Sequence, residues 1–210
     1  MIRITSIDVS PKDDKIISSS KDNTTRIWNI SEKKMQMVFV NSCSAIFNNS
    51  GTLVAVGSSK LINSNSNGNN FINIYDLRSS QEKPVFNFCE GPSNILGMKY
   101  SNNGQYILCM SSDKIMVFET IGGCLIYSFN IYSDSYTDKC LEASFSPDSK
   151  YIVNCTGQNG VEFHSLLELK LIKSYEGKHA KKVLCTKFSQ KHMIVASSCQ
   201  NLILWRPDLN

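Results

Sequence analysis

A pattern of short alternating apolar runs recurs five times along the chain, and it restricts the fold more tightly than any single motif. It is plainest in LEASFSPDSKYIVNCTGQNGVEFH, residues 141–164. Alternation within LEASF, YIVNCT and VEFH gives each run one apolar side, as a half-buried strand requires. Ser146-Pro147-Asp148-Ser149 and Gln158-Asn159-Gly160 separate the runs with residues suited to tight turns. A meander of three strands cannot hide both faces of its own sheet, so it needs neighbours of the same kind.

Such neighbours follow one another in register. Val9, Phe47, Tyr100, Phe145 and Phe188 close the first run of each unit, and seven positions later Ile16, Val54, Ile107, Ile152 and Val195 lie in the second. The third run carries an aromatic marker, Trp28, Tyr75, Phe118, Phe163 or Trp205, at intervals of 47, 43, 45 and 42 residues. This period is similar to the roughly 40–45 residues of a WD40 blade, so an all-β WD40 β-propeller is expected. The units fall at about 1–40, 41–90, 91–133, 134–176 and 177–210, in one propeller domain. Each should hold four strands except the last, where no fourth apolar run follows Trp205. Three residues before the first inner strand are too few to supply it. The five blades are therefore expected to belong to a seven-bladed ring with two more upstream, the alternative being a free-standing ring of five.

Several residues invite a functional reading and have a structural one beside it. Asp22 lies six residues before Trp28, the place where WD40 blades use an aspartate in a network with a histidine, a serine or threonine and the tryptophan nitrogen. Tyr75-Asp76-Leu77-Arg78 retains the aromatic–aspartate pair of the family, and its arginine resembles the adaptor-binding blade of cullin-RING ligase substrate receptors; the plainer reading is a local ion pair between Asp76 and Arg78. Gly177-Lys178-His179 resembles the glycine–histidine signature between blades, which makes His179 a buried network partner rather than a base. Its matching hairpin has Gln200-Asn201 in place of an aspartate, so that network is expected to be incomplete or to use an amide. Lys178, Lys181 and Lys182 form a basic cluster that could meet a partner, although no aromatic residues interleave with it to stack bases. The tract at 60–70, rich in Asn, Ser and Gly, reads as a loop insertion.

Composition excludes more than it assigns. With 41% hydrophobic and 19% charged residues and a net charge of +4, the chain is of ordinary globular type and does not require a nucleic-acid partner. No apolar run reaches the length of a membrane-spanning helix, and the opening MIRITSIDVS does not read as a secretory leader. Eight cysteines occur without a C-x-x-C pair and are expected to be small buried residues in a reducing compartment. There is no G-x-S-x-G, no phosphate loop and no H-E-x-x-H, so no catalytic residue, metal ligand or cofactor is assigned and a propeller enzyme is the weakest of the readings.

Longer blocks go further. IYDLRSS at 74–80, LEASFSPDS at 141–149, EGKH at 176–179 and KFSQKHMIVASSCQNLILWRP at 187–207 resemble the WD repeat-containing protein 82 family, whose yeast counterpart is the Swd-type subunit of the COMPASS complex. The similarity runs through the whole chain and corresponds to the third through seventh blades of that family. It implies a nuclear, non-catalytic scaffold of a SET-domain histone H3 lysine 4 methyltransferase complex, linked to the RNA polymerase II C-terminal tail. Protein phosphatase and 3′-end processing complexes are further partners that the resemblance implies. The alternative is another WD40 adaptor, such as a cullin-RING substrate receptor using Asp76 and Arg78.

Overall fold

The computed structural model describes residues 3–58, 72–79, 83–88, 95–131, 142–156 and 158–206. Every helix or strand assigned among them is a strand. The insertion at 60–70 and Leu141 lie outside the described residues.

The strands form five antiparallel meanders taken in chain order. The first is β1 (Ile4–Val9), β2 (Lys15–Ser20), β3 (Thr24–Asn29) and β4 (Lys34–Val40). The second is β5 (Ser42–Phe47), β6 (Leu53–Ser58), β7 (Ile72–Asp76) and the short β8 (Phe86–Phe88). The third is β9 (Ile95–Tyr100), β10 (Tyr106–Ser111), β11 (Lys114–Glu119) and β12 (Leu125–Asn130). The fourth is β13 (Ala143–Phe145), β14 (Tyr151–Cys155), β15 (Val161–Ser165) and β16 (Lys170–Tyr175). The fifth has three strands among the described residues, β17 (Cys185–Phe188), β18 (Val195–Ser198) and β19 (Leu202–Trp205).

The seven-residue interval in the sequence has a direct physical meaning. Val9 pairs with Ile16, Phe47 with Val54, Tyr100 with Ile107, Phe145 with Ile152 and Phe188 with Val195, each across the first hairpin of its sheet. A polar residue follows each of these first-strand markers. In four sheets its amide closes the hairpin: Ser10 N–H to Lys15 O, Asn48 to Leu53, Ser146 to Tyr151 and Ser189 to Ile194, all at 2.8–2.9 Å. The side chains cap the same turns, Ser10 Oγ accepting from the Asp13 amide and Asn48 Oδ1 from the Thr52 amide. Turn chemistry thus fixes the register, and the register fixes which residues face one way.

Register also corrects one marker. Ile16 pairs with Trp28, Val54 with Tyr75 and Val195 with Trp205, but Ile152 pairs with His164. Phe163 pairs instead with Val153, one step along the strand, so its ring points to the opposite face from the one the aromatic spacing assigned to it. Counting aromatic residues could not detect the shift, because histidine is not counted among them.

Contacts divide the chain into two compact units: Met1–Tyr100 with Gly104–Ser111 and Met116–Ile126, and Ser101–Asn103 with Ser112–Ile115 and Tyr127–Asn210. In the first, Ile17, Ile27, Phe39, Phe47 and Val54 form one apolar cluster, and Ile72, Ile74, Phe88, Ile107 and Phe118 belong to another. In the second, Val153, Val161, Val183, Phe188 and Val195 are the core, flanked by Phe163, Tyr175 and Trp205. Burial of such side chains supplies the main driving force for folding, about 1.5–3 kcal/mol for each large one.

Gly123 is needed for this packing. Its φ is +67°, and a Cβ there would lie 2.2 Å from the Phe88 ring, which is itself buried. Gly123→Ala is expected to cost at least about 1–2 kcal/mol from backbone strain alone, with ring displacement added. Chemical denaturation of the variant, compared with Gly122→Ala, where the nearest atom is the Cys124 sulfur at 4.0 Å, separates the clash from the strain.

Candidate functional site

Successive sheets meet through rings in one recurring way. The outer strand of one sheet sets an aromatic ring on the third strand of the next. Phe39 meets Tyr75 at 4.6 Å between centroids, Phe88 meets Phe118 at 5.7 Å and Tyr175 meets Trp205 at 5.1 Å. In the fourth sheet the third-strand ring is His164, stacked on Phe129 at 3.7 Å with 14° between planes. Its Nδ1 is 3.1 Å from the Tyr127 hydroxyl, and its Nε2 is 3.6 Å from the Glu162 carboxylate. His164 and then Asn154 hold the Glu162 carboxyl below its usual range. Sequence reading passed over His164; its pairing with Ile152 is the signal that identifies it.

Beside these contacts the tryptophans are anchored identically. Trp28 Nε1 donates to Ser18 Oγ at 2.9 Å, and Trp205 Nε1 donates to Ser197 Oγ at 2.7 Å. In both sheets the serine stands two residues beyond the tryptophan's pairing partner. In the fifth sheet the network continues to buried His179, whose Nε2 is 2.7 Å from Ser197 Oγ. An indole nitrogen can only donate, so the serine hydroxyl accepts from it and donates its own O–H to the imidazole. That leaves the N–H of His179 on Nδ1, which lies 3.3 Å from Cys199 Sγ.

Cys199 therefore occupies the part of the network where an aspartate, or the amides of Gln200-Asn201, would be expected from sequence. A thiol is small enough to approach the buried ring, and the chain brings amides to it. The backbone N–H of Asn201 is the main cause that holds the Cys199 thiol below its usual range, with those of Lys181, Gln200 and Ala180 assisting. Among the other described cysteines Cys109 and Cys155 are buried, Cys43 and Cys185 are half-buried and Cys124 is exposed.

In the first sheet the aspartate arm is separate from the tryptophan arm, which corrects the expected shared network. Asp22 Oδ1 accepts from the Thr24 amide at 2.9 Å and from the Thr24 hydroxyl at 2.7 Å, while Oδ2 meets Arg26 at 3.3 Å. These bonds, led by the Thr24 hydroxyl, hold its carboxyl below the usual range. Asp22 thus caps its own turn. Asp76 behaves alike: Oδ1 accepts from the Arg78 amide and Nε at 2.9 Å, and Oδ2 from the guanidinium at 2.7 Å. The pair is local and largely solvated on the arginine side. Lys178 and Lys181 are exposed and Lys182 is half-buried in the turn around His179. The structure brings His179, Ser197, Cys199 and Trp205 together. Phe118 belongs to the ring contacts of the third sheet and Phe163 to a separate groove. That groove, of about 300 Å³, is lined by Tyr151, Phe163, Tyr175, Phe188 and Trp205 among others.

Three outcomes test this electrostatic reading. Ser197→Ala orphans both Trp205 Nε1 and His179 Nε2 and is expected to cost about 1–3 kcal/mol in denaturant unfolding. Burial pulls His179 below its ordinary 6.5, so the neutral ring contributes stability in full above pH 6.5. That contribution is lost as pH falls from 6.5 toward the lower folded value. His179→Gln should flatten the decline. Arg78, chiefly through its side-chain hydrogen bonds, holds the Asp76 carboxyl down to about 2. Asp76 therefore favours the folded turn above the ordinary 3.8, and the effect disappears as pH falls through about 2. Arg78→Ala should return the midpoint toward 3.8 in a carbon-detected NMR titration.

Known proteins fit this geometry. The WD domain, G-beta repeat profile matches residues 2–29. WD repeat-containing protein 82 of Drosophila melanogaster is 28% identical over 211 residues, covering 98% of this chain and 63% of its own length. Set1 complex component swd2 of Schizosaccharomyces pombe is 27% identical over 179 residues, covering 80% of this chain and 48% of its own. The chain thus spans less than two thirds of the length of these relatives. Among solved structures, the β-propeller domain of Cps50 (Swd1) from Myceliophteria thermophila superposes with a TM-score of 0.76 at 12% identity, over 98% of this chain and 70% of that one. With a WD-repeat match at residues 2–29, meander sheets along its length and these likenesses, the chain has a β-propeller fold and is similar to WD40-repeat proteins.

Proposed function

We propose that the chain is a non-catalytic scaffold subunit of a nuclear histone H3 lysine 4 methyltransferase complex of the Set1 (COMPASS) type. One observation carries this reading: nearly the whole chain aligns with WD repeat-containing protein 82, and most of it with a protein named as a Set1 complex component. The physical picture supports it. His179 is enclosed in a hydrogen-bond network, Asp22 and Asp76 cap their own turns, and each of these groups serves the fold. In this reading the exposed loops hold a SET-domain subunit in place and connect it to the machinery on the RNA polymerase II tail. Phosphatase and 3′-end processing assemblies are further partners of the same scaffold.

The same proposal includes further blades. The outer face of β1 carries Ile4, Ile7 and Val9 at 55%, 62% and 61% exposure, whereas the inner strands β5 and β13 are mostly buried. Apolar strand faces of this kind are covered in propellers by a neighbouring blade. A seven-bladed ring supplies one.

Affinity purification of the tagged protein from nuclei, followed by mass spectrometry, tests the assignment. A SET-domain methyltransferase subunit is expected among the retained proteins, together with loss of histone H3 lysine 4 methylation on depletion. Recovery of a cullin adaptor without any SET-domain protein would overturn it in favour of a ubiquitin-ligase receptor.

A further inference from the structure

The fourth and fifth sheets enclose a groove. Its wall is the consequence of Phe163 facing away from His164. Phe163 meets Tyr175 edge-on at 6.0 Å and 88°, and Phe188 at 6.3 Å and 81°. Trp205, Tyr151, Met193 and Val195 complete the apolar lining of about 300 Å³.

Comparison with the first two sheets shows what opens it. There the third-strand residue at the position of Phe163 pairs with an apolar outer-strand residue, Ile27 with Met37 and Ile74 with Phe86. In the first unit Met37 packs onto the core beside Tyr75 and Leu77. In the fourth sheet Phe163 pairs with Lys173. A lysine keeps its ammonium in water, and here Nζ lies 5.7 Å from the Tyr175 ring centroid. Arg206 stands on the same lining, and no carboxylate does among the described residues. The surrounding sequence has the same sign: from Lys170 to Arg206 there are eight lysine or arginine residues and one acid, Glu176.

We propose that this groove is a docking site for an acidic segment of a partner protein, which sets one aromatic side chain into the groove against Phe163, Tyr175 and Trp205 and flanking carboxylates against Lys173 and Arg206. The volume suits a single large side chain, an anchor of the kind that dominates peptide recognition. Nucleic acid fits less well. Phe163 meets both Tyr175 and Phe188 edge to face, which is not the arrangement of parallel platforms on which successive bases stack. The proposal does not depend on the Set1-type assignment, since it follows from the groove alone.

The test uses the full 210-residue chain and synthetic probes. Fluorescence anisotropy compares a labelled Glu-Asp-Trp-Glu-Asp peptide with Glu-Asp-Gly-Glu-Asp, Lys-Arg-Trp-Lys-Arg and a ten-nucleotide uridine RNA. Saturable binding of the first, at least about tenfold tighter than the others and weakened by salt, is expected. The Met193 methyl resonance should shift with the same midpoint. Lys173→Glu and Arg206→Glu, both at exposed positions, should each weaken the acidic aromatic peptide about tenfold while leaving the thermal midpoint unchanged. Four results would overturn the proposal: no saturable binding of that peptide, equal binding of the glycine or basic peptide, tighter binding of the RNA, or full affinity in both charge-reversed variants.

Discussion

Everything in this chain depends on a hairpin that pairs a residue with the one seven places later. The constraint is short-range, set by a polar residue and a turn of a few positions. It is also strict, because a strand alternates faces at every residue and a slip of one would exchange its buried set for its exposed set. Repeating the hairpin five times gives five sheets, and the third strand of each after the first presents a ring to the outer strand of the sheet before. The joints between sheets are then aromatic contacts of about 0.5–1.5 kcal/mol beyond their area, added to ordinary apolar burial.

The fourth sheet shows what the constraint permits. His164 takes the ring position and stacks on Phe129, so the joint survives with an imidazole. Phe163, displaced to the opposite face, has no Met37 or Phe86 opposite it but Lys173. The pair Phe163–Lys173 thus stands where the first two sheets have Ile27–Met37 and Ile74–Phe86, beside a groove of aromatic rings edged by Lys173 and Arg206. Repeat architecture makes such variation cheap, since a sheet packs mainly against its sequence neighbours.

Polar networks follow a similar logic. A buried tryptophan nitrogen needs an acceptor, and serine supplies it in both tryptophan-bearing sheets. Beyond the serine the networks diverge. In the fifth sheet His179 ends on a sulfur that is itself met by backbone amides, whereas in the first Asp22 turns back on Thr24 and Arg26. What is shared is the requirement to satisfy the indole.

The sequence by itself determined the strand order, the hairpin pairings and the kind of fold. Those depend on alternation and turn residues within about ten positions, which are local and legible. Tertiary structure alone decided the rest. Whether Phe163 or His164 faces the preceding sheet depends on how a bulge-free hairpin counts across Gln158-Asn159-Gly160, and aromatic spacing is blind to it. That Cys199 would complete the His179 network, ahead of Gln200 and Asn201, depends on which atom reaches a buried ring. The groove exists only where residues from six strands and their connections, between Tyr151 and Arg206, converge in space. Pairing is written along the chain; convergence between sheets is a property of three dimensions.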